Sequence, residues 1–173
     1  MPDQGLLDVL RRSGGLVAIS RQLAIAPSAA LAAVNALMPL VRGGFRRKVE
    51  QAGNRGAGLA ELHDLLDQLG AAPLAGRLLQ DDFVESAADR SAGAAMVAAI
   101  FGSEVLTRKA IDAAAVQSEV DRDTVAQVVP LLVMLAAGYL AARGGRLSLA
   151  ERLAELGPLL GLDGESNPLD ALA

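Results

Sequence analysis

Two stretches of this chain repeat one another and between them hold most of its apolar bulk. Residues 19–45, ISRQLAIAPSAALAAVNALMPLVRGGF, align without a gap on residues 114–140, AAVQSEVDRDTVAQVVPLLVMLAAGYL. In that register Ile25 falls on Val120, Val34 on Val129, Leu37 on Leu132, Leu40 on Leu135 and Gly43 on Gly138. Each copy reads as a short helix, a tight turn and a long apolar helix. A chain carrying two such helices must bury both, and one helical domain with the pair at its centre is the plainest solution.

The side chains agree with that class. Hydrophobic residues make up 52% of the 173, yet aromatics only 2%, with no Trp, so small aliphatic side chains must fill the core. Ala and Leu dominate, and they are the strongest helix formers. The alternating β-branched runs that mark strands are missing. The expected fold is all-α: a multi-helix array with two similar helix–turn–long-helix units, residues 1–160 forming a single domain and 161–173 a flexible C-terminal tail.

Local signals place the elements. A first helix over 5–12 stops at Ser13-Gly14-Gly15, and a second spans 15–24. Pro27 suits the first position of the long helix, whose Leu31, Val34, Leu37, Met38 and Val41 follow helical spacing, with a kink expected at Pro39. Residues 50–58, EQAGNRGAG, read as a mobile loop. A helix over 59–69, a loop over 70–76 and helical pieces over 76–89 and 91–101 follow. Ser103 caps a helix to about Gln117, and Asp121 caps the second long helix to about Arg143, kinked at Pro130. Ser148-Leu149-Ala150-Glu151 is a capping box opening a last helix.

Thr124–Ala142 and Leu23–Val41 contain no charged residue, and each is about as long as a membrane-spanning helix. Ala-rich surfaces, Asn35, Gln127 and two prolines make them poor spans, and the remaining helices are amphipathic. The reading is therefore a soluble core, with a membrane not favoured. The acidic start MPDQGLLDVLRR does not read as a signal peptide, and a cytoplasmic location is expected.

Chemistry-bearing residues are few. Without Cys there are no disulfides, thiol nucleophiles or thiolate metal sites. His63 is the only histidine; with Asp67 one turn on and Glu61 and Asp64 near by, it reads as part of a solvated polar face and not a metal site. Asp81, Asp82, Glu85 and Asp89 form an acidic run with helical spacing but no adjoining nucleophile, so a charged helix face is expected. Gly53-Asn54-Arg55-Gly56-Ala57-Gly58 lacks the Lys-Ser/Thr ending and preceding strand of a phosphate loop. No catalytic residue, cofactor or metal is expected, and the chain does not read as an enzyme.

LVAISRQLAIAPSAALAAVNAL has the outline of a helix–turn–helix. A recognition helix needs Arg, Lys, Gln or Asn near its start to read base edges, and this one offers Ser28 and Asn35 among alanines. The second copy presents Asp121 and Asp123 to a polyanion, and the net charge of −4 opposes broad nucleic-acid binding. The cations Arg42, Arg46, Arg47 and Lys48 sit at the far end of the long helix, placed for phosphates if for anything.

The two copies, with LMPLVRGGF in the first and VVPLLVMLAAGYL in the second, together with IFGSEV and the NPLDAL tail, resemble the YidB-like family of uncharacterised bacterial proteins over residues 5–160. The resemblance implies a soluble, all-helical bacterial protein with a homeodomain-like helical motif, falling on residues 16–41 or 104–140. It brings no catalytic residues. The base-reading Asn of homeodomains has no clear counterpart, Asn35 lying mid-helix.

The leading expectation is a non-enzymatic interaction or scaffold protein that binds itself or another protein through apolar helical surface. Leu169 and Leu172 of the tail are its candidate docking anchor. The alternative is a nucleic-acid-associated protein using Arg42, Arg46, Arg47 and Lys48 as a phosphate patch.

Overall fold

The computed structural model describes residues 5–162 and 166–173, and its described elements are all helical. In chain order they are α1 (Gly5–Ser13), α2 (Gly15–Leu23), α3 (Pro27–Glu50), α4 (Arg55–Gln68), α5 (Ala71–Leu78), α6 (Ala87–Phe101), α7 (Glu104–Ser118), α8 (Arg122–Gly144) and α9 (Leu149–Leu160). A short 3-10 helix, Pro168–Ala171, closes the chain.

Helix starts follow the capping chemistry. Pro27 opens α3, where its missing N–H costs nothing. Asn54, Ser103, Asp121 and Ser148 each accept a hydrogen bond from the backbone amide three residues on, at 3.0–3.3 Å. The ends of α2 and α7 are less ordinary: Ala24 (φ 53°) and Glu119 (φ 58°) both adopt the left-handed conformation. That costs a non-glycine residue about 1 kcal/mol. The two lie at the same place in the aligned stretches, as do the starts of α3 and α8.

The long helices form the centre. α3 and α8 touch each other, and 61% and 72% of their most apolar windows are buried. Leu37, Val41 and Phe45 from α3 meet a core shared with Val128, Leu132, Val133 and Met134 from α8, all fully buried. Both helices are long and apolar enough to cross a membrane by length and composition, and here the greater part of each window is buried within the chain. The short helices cross over: α7 lies chiefly on α3, while α2 divides its contacts between α3 and α8. α4 and α9 pack on each other and on both long helices, and α5 and α6 cover α8.

Small residues allow the closest approaches. At Gly138 of α8 a Cβ would collide with Ala75 of α5, and at Gly44 of α3 it would fall 2.9 Å from the carbonyl oxygen of Ile100 in α6. The long helices thus use glycine where a neighbouring backbone passes.

Three expectations change. The breaker over 50–58 shrinks to 51–54, because Asn54 caps α4 from Arg55 and its glycines sit in the first turn. Residues 70–76 are not a loop: left-handed Gly70 (φ 69°) starts α5, and Pro73 falls in the first turn, where no N–H partner is needed. The irregular segment lies instead at 79–86, inside the helix expected over 76–89.

Of the tail, residues 166–173 are docked, not loose. Leu169 is fully buried, and Asn167 Nδ2 donates to the carbonyl of Gly43 on α3 at 2.9 Å. Asn167 Oδ1 accepts from the amide of Leu169 at 3.0 Å, and a Cβ at Gly43 would collide with that oxygen. One buried amide side chain therefore pins the segment where α3 presents a glycine.

Candidate functional site

A groove of about 800 Å³ opens between α6, α7 and α8. Ser86 and Asp89 form a capping box that starts α6, and left-handed Gly102 (φ 84°) turns the chain so that Ser103 can start α7. The two helices diverge from Gly102, and the first half of α8 forms the floor. The C-terminal end of α2, with Gln22 and Leu23, closes the far side.

The interior is apolar: Leu23, Val97, Ile111, Val129 and Leu131, with Ala94, Ala98 and Ala126 keeping the walls low. Pro130 is on the floor and has no N–H, so the carbonyl of Ala126, also lining the groove, lacks its usual helical donor. Charges sit on the rim: Glu85 and Arg90 beside α2, Glu104 and Arg108 at the start of α7. Burial pushes the half-buried Glu85 carboxyl up, against the pull of nearby Arg90.

The hydroxyls here are already engaged. Ser103 Oγ caps Leu106, and Thr107 Oγ1 donates to the Ser103 carbonyl at 2.9 Å. Neither is placed beside a base, so the groove holds no activated nucleophile. What it can do is receive an apolar body, at roughly 25 cal/mol for each Å² of apolar surface withdrawn from water.

The wall at α6 is braced from behind. Arg77 of α5 grips Asp89 with two bonds, Nη2–Oδ1 at 2.7 Å and Nη1–Oδ2 at 3.2 Å. Asp89 is only 6% exposed. The Arg77 hydrogen bond and the Ser86 amide hold its carboxyl at about 2, below the usual 3.8. The same guanidinium stands 5.8 Å over the ring of Phe83. Arg21 of α2 donates to the carbonyls of Leu78 and Gln80 at 3.2 and 2.8 Å, and Gln22 Nε2 donates to that of Phe83 at 2.9 Å. Segment 79–86 is thereby stitched to both α2 and α6.

The acidic run read as one charged face is split accordingly. Asp81 is exposed and pairs with Arg21 at 3.3 Å, Asp82 is exposed, Glu85 edges the groove and Asp89 is buried. Spacing alone missed Arg77, the residue that makes Asp89 different. His63 also departs from the solvated face expected for it. It is half-buried against Gly144, and its Nδ1 is buried with no hydrogen-bond partner. Glu61, Asp64 and Asp67 on the same helix are exposed. Among the described residues no three His, Asp or Glu side chains come together as a metal-holding group.

The basic patch is partly spent inside the chain. Arg46 pairs with Glu50 at 3.4 Å, Arg47 with Asp170 at 3.6 Å, and Arg42 lies against Gly161. All three, with Lys48, are half-buried. Leu169 is fully buried in this chain's own core, and Leu172 packs at its edge. Within residues 16–41, Ala30, Ala33, Val34 and Leu37 are buried, leaving Ser28 and Asn35 exposed.

Compared with known proteins, the chain matches the family DUF937, described as bacterial proteins of unknown function, over residues 12–143. No curated protein and no solved structure matches it.

Proposed function

Because the chain belongs to the DUF937 family of bacterial proteins of unknown function, we propose its role from the site alone: it is a non-enzymatic interaction protein that receives an apolar segment in the α6–α7–α8 groove. The observation that carries this reading is the groove itself, open, apolar and about 800 Å³, with the first half of α8 as its floor. Its hydroxyls are already bonded and its charges lie on the rim, an arrangement for docking and not for turnover. The partly spent basic patch gives nucleic-acid binding no comparable support.

We also read the chain as two copies of one four-helix pattern, α1–α4 and α6–α9, with α5 between them. The matched left-handed residues Ala24 and Glu119 support this. So do left-handed Gly14 and Gly102, each preceding the second helix of its set. The identical tetrads Leu59-Ala60-Glu61-Leu62 and Leu153-Ala154-Glu155-Leu156, on α4 and α9, add to it. In this reading the helix–turn–helix outline is a packing unit.

The test is titration with an anilinonaphthalene sulfonate dye, which fluoresces in apolar surroundings. The native chain should show one saturable site. Ala98→Trp, which places an indole in the groove from an exposed position, should remove it with the helical circular dichroism intact. Fluorescence indifferent to that substitution would end the groove reading.

A further inference from the structure

We propose that the segment Asn167–Leu172 is an exchangeable arm, and that its seat on α3 receives the same segment from a second copy of this chain. This does not rest on the groove. It starts from two glycines that fall together in the aligned long helices, Gly43 of α3 and Gly138 of α8. At each, a Cβ would collide with an element from elsewhere in the chain: with Asn167 Oδ1 at Gly43, and with the Cβ of Ala75 at Gly138. Residues 166–173 therefore take on α3 the seat that α5 takes on α8.

The route to each seat is alike. A left-handed glycine follows α4 (Gly70, φ 69°) and another follows α9 (Gly161, φ 72°), and the arm comes after it. On the two-copy reading, α5 leaves the first copy and seats on the long helix of the second. Residues 166–173 leave the second copy and seat on the long helix of the first. Passing between molecules is the same step with the two patterns on separate chains.

The two arms are held unequally. α5 buries Ala71, Leu74, Ala75 and Leu78 and adds the Arg77–Asp89 pair. Of residues 166–173 only Asn167 and Leu169 are buried, and the Arg47–Asp170 pair, at 3.6 Å, lies on an exposed rim. A cavity of about 370 Å³ lined by Phe101, Leu106 and Lys109 leaves space beside Leu172. Elements with few buried contacts open well before the core does.

What the seat reads is carried by one short stretch. Asn167 Nδ2 donates to the Gly43 carbonyl, Asn167 Oδ1 accepts from the Leu169 amide, Leu169 enters the core and Asp170 faces Arg47. A second copy brings the identical set, so exchange loses none of these contacts, and swapping an identical element is a low-cost route to dimers. From buried Leu162 to Asn167 the chain spans at most about 17 Å. Reciprocal exchange therefore holds the two α3 seats near one another, in a closed two-fold dimer.

The chain holds no cysteine, and the side chains of Arg47 and Asp170 are 34% and 63% exposed, so single-cysteine variants there spare the core. Arg47→Cys and Asp170→Cys chains, incubated together at high concentration and treated with a short bismaleimide, should give the mixed covalent dimer well above either self-linked product. Gly43→Ala on the Arg47→Cys chain closes its seat and should remove that product. Light scattering gives a readout without cross-linking. Gly43→Ala, with a free arm, and Leu169→Asp, with an open seat, should each keep the mass of one chain and form a 1:1 complex when mixed. A mixed dimer no more abundant than the self-linked products, or one indifferent to Gly43→Ala, overturns the exchange. So does a mixture of the two folded variants that keeps the mass of one chain. If circular dichroism shows that either variant is unfolded, the cysteine pair decides alone.

Discussion

The same substitution, glycine to alanine, should move stability in opposite directions at one place on the α5–α8 contact and one on the open face of α5. In an unobstructed helix the change gains about 1 kcal/mol, because glycine loses more backbone entropy on folding. Gly76 of α5 is such a position: it is exposed, and a Cβ there meets nothing within 4 Å. Gly138 of α8 is the reverse. Its Cβ would collide with the Cβ of Ala75 and fall 2.8 Å from the carbonyl oxygen of Ala71. Neither atom sits on a flexible side chain, so all of α5 must shift. α5 is held by Ala71, Leu74, Ala75 and Leu78, all buried, and by the Arg77–Asp89 pair. Overpacking of this kind costs about 1–3 kcal/mol, and backbone obstruction places it at the upper end. Set against the helical gain, Gly138→Ala should lose about 1–2 kcal/mol and Gly76→Ala gain up to about 1. For a chain of this length each kcal/mol moves Tm by roughly 2–4 °C. Differential scanning calorimetry should find Gly138→Ala lower by about 2–8 °C and Gly76→Ala higher by about 2–4 °C. A Gly138→Ala variant at least as stable as the native chain would refute the close α5–α8 approach.

Two further outcomes follow from buried polar groups. Asp89 titrates at about 2 when folded against the usual 3.8, so between those values the unfolded chain binds more protons and stability rises with pH. Native stability should therefore fall as pH drops from about 4 towards about 2, and Asp89→Asn should be weaker at neutral pH and lack that part of the acid limb. Parallel acid limbs in denaturant titrations would contradict the pairing with Arg77. Asn167→Ala removes the side-chain bond to the Gly43 carbonyl, which keeps its helical donor, and leaves the buried Leu169 amide without its acceptor, at a cost of about 1–3 kcal/mol. Because the segment lies at a chain end, the loss should appear as faster hydrogen exchange at Leu169 more than as a lower Tm. Unchanged exchange there would mean that Asn167 is not the pin.

Legibility in the sequence tracked the range of the interaction involved. Helix starts set by a side chain reaching three residues along, at Ser103, Asp121 and Ser148, could be read directly. So could the two long apolar helices, since their pattern persists for many turns. α5 was missed because Gly70, Pro73 and Gly76 look like punctuation, although the first two are permitted at a helix start and the third is merely tolerated. Leu169 and Leu172 stand out in the tail as apolar anchors, but its docking is not legible, because what pins it, Asn167 on Gly43, joins residues 124 positions apart. The split of the acidic run needed Arg77, on another helix, and no spacing rule within the run could supply it. The groove was invisible for a similar reason: each wall is an ordinary amphipathic helix, and only their divergence at Gly102 leaves the space open. The LAEL tetrads of α4 and α9 were present in the sequence all along, but their register differs by one residue from that of the long helices, so an ungapped comparison passes over them.

That one-residue difference bears on where function lies. On the two-copy reading proposed above, a core built from matched helices does not by itself select a binding face. Selection enters where the copies stop matching. On that reading α5 has no α-helical counterpart and covers α8, while α7, at 15 residues, outgrows α2, at 9. The longer α7 forms one wall of the groove, and α5, through Arg77 and Asp89, braces the other wall at α6. Both departures from symmetry thus converge on one place. Shortening α7 towards the length of α2 should therefore erase the groove while sparing the central α3–α8 contact.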